Sequence, residues 1–277
     1  MDNFAILILI GFAIGTLGTL IGAGGGFLLV PLLLLAHPDF GPEVVTAISI
    51  AIVAGNAISG SIAYAKSGRI DYKAGLLFAL FTIPGSIIGV FLTGYIPKEV
   101  FGIIFGILLL VLSTYLILKN RKSKVEKTVL PARTGPGWKT HSLTDKSGEQ
   151  FTYNFNQTWG IVISVLVGFL SPLLGIGGGI IHVPAMVQWL QFPVYIATAT
   201  SHFILAIMST ISVGVHLYNG DYSNPLTLHI IGGLLIGVLP GAQLGAYLSH
   251  KIPTVAIIRA LAVCLALVGV RILLTSF

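Results

Sequence analysis

Charge is scarce in this chain of 277 residues. Asp, Glu, Lys and Arg together make up 9% of the residues, whereas 55% are hydrophobic, and the mean hydropathy is +0.96. A soluble domain needs a charged surface, so this composition excludes an ordinary soluble protein. Apolar runs long enough to cross a hydrocarbon core of about 30 Å recur along the chain. They predict an all-α polytopic membrane protein.

Acidic residues are absent from the interior of the apolar runs, and cysteine is almost absent from the chain. The first absence disfavours a carrier of sodium, calcium or metal cations, because such ions prefer carboxylate ligands. No HExxH or GxSxG pattern occurs, so we expect no enzymatic activity and no metal or other cofactor. The single cysteine, Cys264, excludes an intramolecular disulfide and a thiolate metal cluster.

Eight apolar runs have the length of a membrane span. They cover residues 4–21, 43–66, 74–95, 100–118, 158–175, 194–218, 226–249 and 254–274. The shorter runs 27–36 and 180–191 cannot cross comfortably, so we expect half-helices or re-entrant arms there. The first run has no basic segment before it, which predicts a retained helix instead of a signal peptide.

A polar linker at residues 119–157 divides the chain into a first transmembrane repeat, 1–118, and a second, 158–277. More than half of the 15 Lys and Arg residues lie in the linker. This excess predicts that the linker of this multi-pass membrane protein is cytoplasmic. The basic residues are not interleaved with aromatic ones, so the expected partners are the lipid bilayer and a small molecule, not nucleic acid. Homo-oligomer formation stays open.

A glycine-rich motif occurs twice and reveals an internal repeat. IGAGGG begins at Ile21 and GIGGG at Gly175, and in each copy a proline follows, at Pro31 and Pro184. Matching residues in the two halves are separated by 152 to 156 positions. The pattern predicts two homologous repeats of about four to five transmembrane helices each. Internal duplication with interrupted helices is typical of transporters that bind their substrate between the repeats.

The relative orientation of the repeats depends on the short arms. If each arm turns back within the membrane, each repeat has four spans and the copies are parallel. If each arm crosses, there are five spans and the copies are inverted. The loop at 66–73 is basic, whereas its counterpart in the second half contains only Asp221. The two matching loops thus differ in charge, and this difference weakly favours inversion.

Glycine clusters and polar residues within the runs define the candidate binding site. Three glycines in a row break a helix, and the freed N–H groups at the start of the next arm attract anions. Polar side chains in spans are costly and tend to face a pathway. The candidate residues are Gly24, Gly25, Gly26, Thr46, Ser49, Asn56, Gly177, Gly178, Gly179, His182, Thr198, Ser201 and His202. Two structural alternatives stay open: close helix packing for the glycines and bonds to their own helix for the hydroxyls.

Several segments together resemble the sulfite exporter TauE/SafE family, also called the toluene sulfonate uptake permease family. They are GTLGTLIGAGGGFLLVP, VGFLSPLLGIGGGIIHVPA, TAISIAIV, TATSHFIL, PGSIIG and PGAQLG. The resemblance covers nearly all of the chain outside the linker. It implies an inner-membrane carrier that moves sulfite, sulfonates, sulfoacetate or related sulfur-containing anions, generally outward.

The donor-rich site without a buried carboxylate fits a small oxyanion better than a cation. We therefore predict a secondary transporter, and an exporter by the family resemblance, that works by alternating access around a site near the membrane midplane. Two alternatives stay open. One is an anion channel that uses the same site, and the other is a membrane scaffold that does not transport.

Overall fold

The protein is a bundle of helices with one small β-hairpin. A computed structural model of the chain describes residues 3–120, 135–249, 251 and 254–275. Within these residues the elements in chain order are α1 (Phe4–Ile21), α2 (Gly26–Ala36), α3 (Pro42–Ser67), α4 (Tyr72–Thr93), α5 (Lys98–Asn120), β1 (Trp138–Thr144), β2 (Gln150–Asn156), α6 (Gln157–Leu174), α7 (Gly179–Gln188), α8 (Val194–Asn219), α9 (Pro225–Leu248) and α10 (Thr254–Thr275).

Seven helices are long and apolar enough to cross a membrane, namely α1, α3, α4, α5, α6, α8 and α9. This confirms the prediction of a multi-pass helical protein. Helix α10 coincides with the eighth predicted run, and its described part Leu265–Leu274 is a shorter apolar helix. The side chain of Cys264 and the basic residues between 121 and 134 lie outside the described residues.

The two arms are short helices, as the sequence predicts. Helix α2 has 11 residues and α7 has 10, which at 1.5 Å per residue is about half the thickness of the hydrocarbon core. Helix α7 ends at Gln188, three residues before the end of the predicted run. The reason is a tight turn, in which Gln191 has a positive φ of 58°.

The prediction of an all-α protein is wrong in the linker. Strands β1 and β2 pair antiparallel, with Trp138 opposite Asn156 and Thr144 opposite Gln150. In β2 every second residue is aromatic, so one face of the strand packs against the bundle and the other stays polar. This alternation is the ordinary signature of a half-buried strand.

The hairpin is docked onto the end of the bundle where α3 ends and α4 begins. Asp71 caps α4, since its Oδ1 accepts from the backbone N–H of Ala74 at 3.1 Å. Its Oδ2 accepts from the hydroxyl of Tyr153 at 2.6 Å and lies 2.5 Å from Nδ1 of His141. The backbone N–H of Lys146 in the hairpin turn donates to the carbonyl of Ser67 at 3.1 Å. We call this end of the bundle the hairpin end.

Helices α1, α3 and α9 run in the same direction. Residues farther along one helix contact residues farther along the next. Glycines at these contacts let the helices approach closely. These contacts are Gly11 with Leu234, Gly15 with Val238, Gly55 with Leu235, and Ser59 with Leu239.

Helices α4, α6 and α8 form a second set that shares one direction. Their contacts are Phe78 with Gly160, Thr82 with Gly168, and Gly75 with Thr200 and Phe203. The two sets run in opposite directions, since α3 of the first set packs antiparallel to α8 of the second at the centre. Val53 clusters there with Leu205 and Met208, whereas Tyr64, farther along α3, clusters with Ala199 at the start of α8.

Candidate functional site

The helix breaks predicted from the glycine clusters are present in both halves. Helix α1 ends at Gly22, and α2 begins only at Gly26. The backbone between them is left-handed at Gly24 and Gly25, with φ of 79° and 87°. Glycine adopts such angles without a steric penalty. In the second half the break separates α6 from α7.

The two breaks meet at the centre of the molecule and pack backbone against backbone. A Cβ added at Gly179 would overlap the carbonyl oxygen of Gly22, and one added at Gly26 would overlap that of Gly175. We call the two segments, 22–26 and 175–179, the glycine junction. Within it these glycines are needed for close approach, so the packing interpretation left open by the sequence applies here.

The two arms leave the glycine junction toward opposite ends of the bundle. At the start of α2, Gly25 lies against Ile14 in the middle of α1. Farther along α2, Val30 lies against Gly175, as does Thr46, which is in the first turns of α3 and away from the hairpin. Helix α7 instead runs toward the hairpin end, where its last turns line a cavity with Arg69.

Three of the predicted polar residues hold the glycine junction. The Asn56 amide donates to the carbonyl of Gly24 at 2.8 Å and accepts from the hydroxyl of Thr19 at 2.6 Å. The hydroxyl of Ser49 donates to the carbonyl of Gly175 at 2.6 Å. Nε2 of His202 lies 3.2 Å from the Thr19 hydroxyl. These polar atoms are engaged by the protein itself, so in this conformation they stabilise the breaks.

The remaining predicted polar residues differ in their surroundings. The Thr46 hydroxyl donates to the carbonyl of Pro42 in its own helix at 2.8 Å. His182 lies 3.3 Å from the Ser164 hydroxyl and lines a narrow crevice with Ser201. The Ser201 hydroxyl is buried and has no hydrogen-bond partner among the described residues. Unpaired buried polar atoms are uncommon in folded proteins and are themselves candidates for ligand contact.

A cavity of about 70 Å³ opens between the glycine junction and the hairpin end. Of the predicted site residues, only Gly179 and Thr198 line it. The full lining is Leu20, Ile21, Tyr64, Arg69, Leu116, Gly179, Ile180, Val183, Pro184, Val187, Gln188, Val194, Tyr195, Thr198 and Ser249. Among the described residues of the wall, which are mainly apolar, Arg69 is the one that carries a charge.

Sequence reasoning missed Arg69 as a site residue because it treated the 66–73 loop as a topology signal. The guanidinium lies 5.4 Å from the centroid of the Tyr195 ring, a cation–π contact. It also donates from Nε and Nη2 to one carboxylate oxygen of Asp145, at 3.1 and 3.0 Å. Asp145 belongs to the hairpin turn, so the linker reaches the wall of the cavity.

At the opposite end of the bundle, polar groups pair with one another. Nδ1 of the buried His216 lies 2.7 Å from a carboxylate oxygen of Asp221. The hydroxyl of Tyr222 donates to the carbonyl of Ala47 at 3.0 Å. Among the described residues, no group of three or more His, Cys, Asp or Glu side chains is placed to hold a metal ion.

The fold and the site define a polytopic membrane protein in which two broken helices meet at the centre, an arrangement found in secondary transporters. The model of the sulfite exporter TauE/SafE family matches residues 7–272. The chain therefore belongs to this family and is a membrane transporter of the TauE/SafE type. The family is one of transporters, not of enzymes.

Curated relatives agree over nearly the full length of the chain. It is 33% identical over 277 residues to the probable membrane transporter protein YunE of Bacillus subtilis, covering 98% of this chain and 97% of that protein. It is 28% identical over 261 residues to the probable membrane transporter protein MJ0441 of Methanocaldococcus jannaschii, covering 89% and 86% of the two chains. No solved structure matches the chain significantly.

Proposed function

We propose that the protein is a secondary transporter of sulfite, sulfonates, sulfoacetate or related sulfur-containing anions that works by alternating access. The observation that carries this proposal is the pair of arms that start together at the glycine junction and lead to opposite ends. A substrate held near the junction would be exposed to one end along α7 and to the other along α2. The name of the matching family, sulfite exporter, supports the substrate class.

The proposed repeats are inverted, related by a pseudo-two-fold axis in the membrane plane. Support comes from the directions of the helices, since α1 runs with α9 while their proposed counterparts α6 and α4 run together the opposite way. The partners also correspond: α1 packs on α9 as α6 packs on α4, and α3 packs on α9 as α8 packs on α4. This pattern supports five crossings per repeat, counting each arm together with the break that precedes it as one crossing.

The conformation fits one of the two states of an alternating-access cycle. The cavity lies toward the hairpin end, whereas Thr46, in the first turns of α3 at the opposite end, is fully buried. In the proposed orientation the linker lies in the cytoplasm of a bacterial cell, which makes this the inward-facing state. An inside-negative membrane potential would then favour export of a monoanion.

An anion suits the cavity better than a cation because Arg69 supplies positive charge and the described lining residues include no carboxylate. Guanidinium groups bind planar and tetrahedral oxyanions through parallel N–H donors. Proton coupling through His182 or His202 is part of the proposal, since both are buried within the helices beside the glycine junction.

Counterflow in proteoliposomes tests the proposal. Vesicles loaded with unlabelled sulfoacetate or sulfite should accumulate the labelled anion transiently, and the flux should saturate. Flux that neither saturates nor shows counterflow would indicate the channel alternative. Matched carboxylates and inorganic cations should be poor substrates, and transport of those alone would overturn the sulfur-anion assignment.

The scaffold alternative is tested with variants at the glycine junction. We expect Gly25→Leu and Gly178→Leu to abolish flux, because both positions adjoin the breaks. Gly214→Leu is the control, since a side chain there meets open space. If correctly assembled Gly25→Leu protein transports as well as the control, the junction is not part of the transport path.

A further inference from the structure

Arg69 stands between the cavity and the hairpin and faces both. On one side it lines the cavity together with Tyr195. On the other it is bound by the carboxylate of Asp145, and the exposed fractions of the two side chains are 14% and 1%. The cation that an incoming anion would meet is thus already occupied by an anion of the same chain.

The two carboxylate oxygens of Asp145 have separate partners. Oδ1 accepts from the backbone N–H groups of Ser147 and Glu149 and from the Ser147 hydroxyl, and so holds the hairpin turn together. Oδ2 accepts from Arg69 alone among the hydrogen bonds of the described residues. Oδ1 therefore stabilises the turn, whereas Oδ2 binds Arg69 in the cavity wall.

Asp145 is ionised throughout the physiological range. The hydrogen bond from Ser147, with further bonds from Arg69 and the turn, outweighs its burial and lowers its pKa from 3.8 to about 2. The hairpin holds this carboxylate at a fixed position through the bond from Lys146 to Ser67 and through the contacts to Asp71. A tethered carboxylate has a high effective concentration at Arg69.

We propose that Arg69 is an anion-binding residue of the cavity and that Asp145 is a displaceable counter-ion which occupies Arg69 when no ligand is bound. A ligand anion takes the place of Oδ2, and the hairpin turn is released from the mouth of the cavity. This inference rests on the proposed anion transport and assigns the residue that receives the anion at the hairpin end.

The walls indicate the chemical class of the ligand. Tyr64, Tyr195 and Val183 provide apolar surface around the single guanidinium. A volume of about 70 Å³ is well below the several hundred Å³ of drug-sized pockets. The site therefore suits a small monoanion with a compact apolar part, such as a short alkyl sulfonate, more than a dianion or a large ligand.

The separate roles of the two oxygens allow a selective substitution. Asp145→Asn keeps a carbonyl oxygen for the turn but replaces the oxygen that faces Arg69 with an NH2 group. This group donates hydrogen bonds and cannot accept one from the guanidinium. We expect the Kd of the purified full-length protein for ethanesulfonate to fall by roughly tenfold, because Arg69 no longer has to be vacated. Arg69→Gln should abolish ethanesulfonate binding, and adding Asp145→Asn to it should restore none.

Glu149→Gln is the matched control. It removes the same charge from the same turn, but the Glu149 side chain is exposed and has no hydrogen bond to Arg69 among those described. Its Kd should stay within about twofold of the wild-type value, since exposed charges are strongly screened. An equal gain in affinity in Glu149→Gln and Asp145→Asn would show a general charge effect and overturn the competition.

A second measurement follows the hairpin itself. Ethanesulfonate should increase hydrogen exchange at the amides of the 145–149 turn in the wild type, whereas neutral dimethyl sulfone should not. Exchange that is unchanged at saturating ethanesulfonate would overturn the displacement of Asp145.

Failure of this inference and failure of the proposed function give different results. Normal counterflow of sulfonates, with unchanged affinity in Asp145→Asn, would overturn the Arg69–Asp145 competition and leave transport intact. Tighter binding in Asp145→Asn without any flux in the wild type would overturn transport and retain the anion site.

Discussion

The two ends of the bundle have the same backbone design but different side chains. Helices α3 and α8 each have 26 residues, and each ends at a glycine cap in the left-handed region. At the hairpin end, Tyr64 and Arg69 line an open cavity. At the opposite end the residues 152 positions later, His216 and Asp221, bind each other.

The difference lies in where each charged residue finds its partner. Arg69 finds its carboxylate on a separate element, the hairpin, so its pairing can be undone without disturbing the helices. Asp221 is paired within its own helix end, and its neighbour Tyr222 is bonded to α3. Burial and the nearby Asp221 carboxylate raise the pKa of the Tyr222 phenol, so it remains a donor.

The largest expected effect comes from breaking the glycine junction, which separates the two ends. Gly179→Ala places a methyl group on the carbonyl of Gly22, and such overpacking against backbone should cost about 3 kcal/mol, the upper end of the usual range. We expect a clear loss of apparent melting temperature in detergent. Gly214→Ala, which meets open space within α8, should instead be neutral or stabilise by roughly 0.5 kcal/mol. Equal melting temperatures for the two variants would contradict the close approach of the breaks.

Cysteine labelling compares the accessibility of the two ends directly. With Cys264 replaced, Thr198→Cys at the cavity should react with a polar maleimide about tenfold faster than its counterpart Thr46→Cys. The reason is that labelling at position 46 requires local opening of the fold. Thr46 is fully buried beside Gly175. Ser223→Cys, on the exposed loop near Asp221, checks that the reagent reaches that face. Faster labelling at Thr46 would reverse the assignment of open and closed ends.

Two tyrosine hydroxyls provide a sharper and smaller comparison. Tyr153 donates to the Asp71 carboxylate at the hairpin end, and Tyr222 donates to a backbone carbonyl at the other. Bonds to charged groups are the stronger, so Tyr153→Phe should cost about 1.5–3 kcal/mol and Tyr222→Phe about 0.5–1.5 kcal/mol. Thermal unfolding of both variants measures the difference. A larger loss in Tyr222→Phe would mean that the closed end contributes more to stability than the docked hairpin.

The smallest effect is the pH dependence of hairpin docking. A lowered carboxyl pKa stabilises the folded state above the ordinary value and loses this contribution as pH falls through the folded value. For Asp145 these values are 3.8 and about 2. Its contribution to hydrogen-exchange protection of the turn should therefore be constant from pH 5 to pH 8 and decline below about 4. In Asp145→Asn this acid dependence should disappear, and an unchanged acid response would point to another group.

Much of the helical framework could be predicted from local sequence. The arms and the helix breaks follow from glycine clusters that interrupt apolar runs, since both signals act within a few residues. The hairpin was missed, although Phe151, Tyr153 and Phe155 alternate as in a half-buried strand. These residues lie in a linker rich in charged residues, and that composition alone does not indicate a strand.

The candidate site was only partly predictable. Polar residues within spans pointed to the centre, and Ser49, Asn56 and His202 do lie there. Ser49 and Asn56 bind backbone carbonyls, and His202 lies beside a hydroxyl. Local sequence does not show these partners, because the partner lies more than 30 residues away for Asn56 and 126 residues away for Ser49. Arg69 carried no local sign of facing a cavity.

The sequence by itself determined a polytopic membrane protein of the TauE/SafE family, because hydropathy and glycine breaks depend on neighbouring residues alone. Tertiary structure decided that the two breaks touch, that a cavity lies toward one end, and that a hairpin carboxylate reaches Arg69. These features require residues distant in the chain to meet. Arg69 and Asp145 are 76 positions apart, and only the packing of α3 against the docked hairpin brings their charges within 3.0 Å.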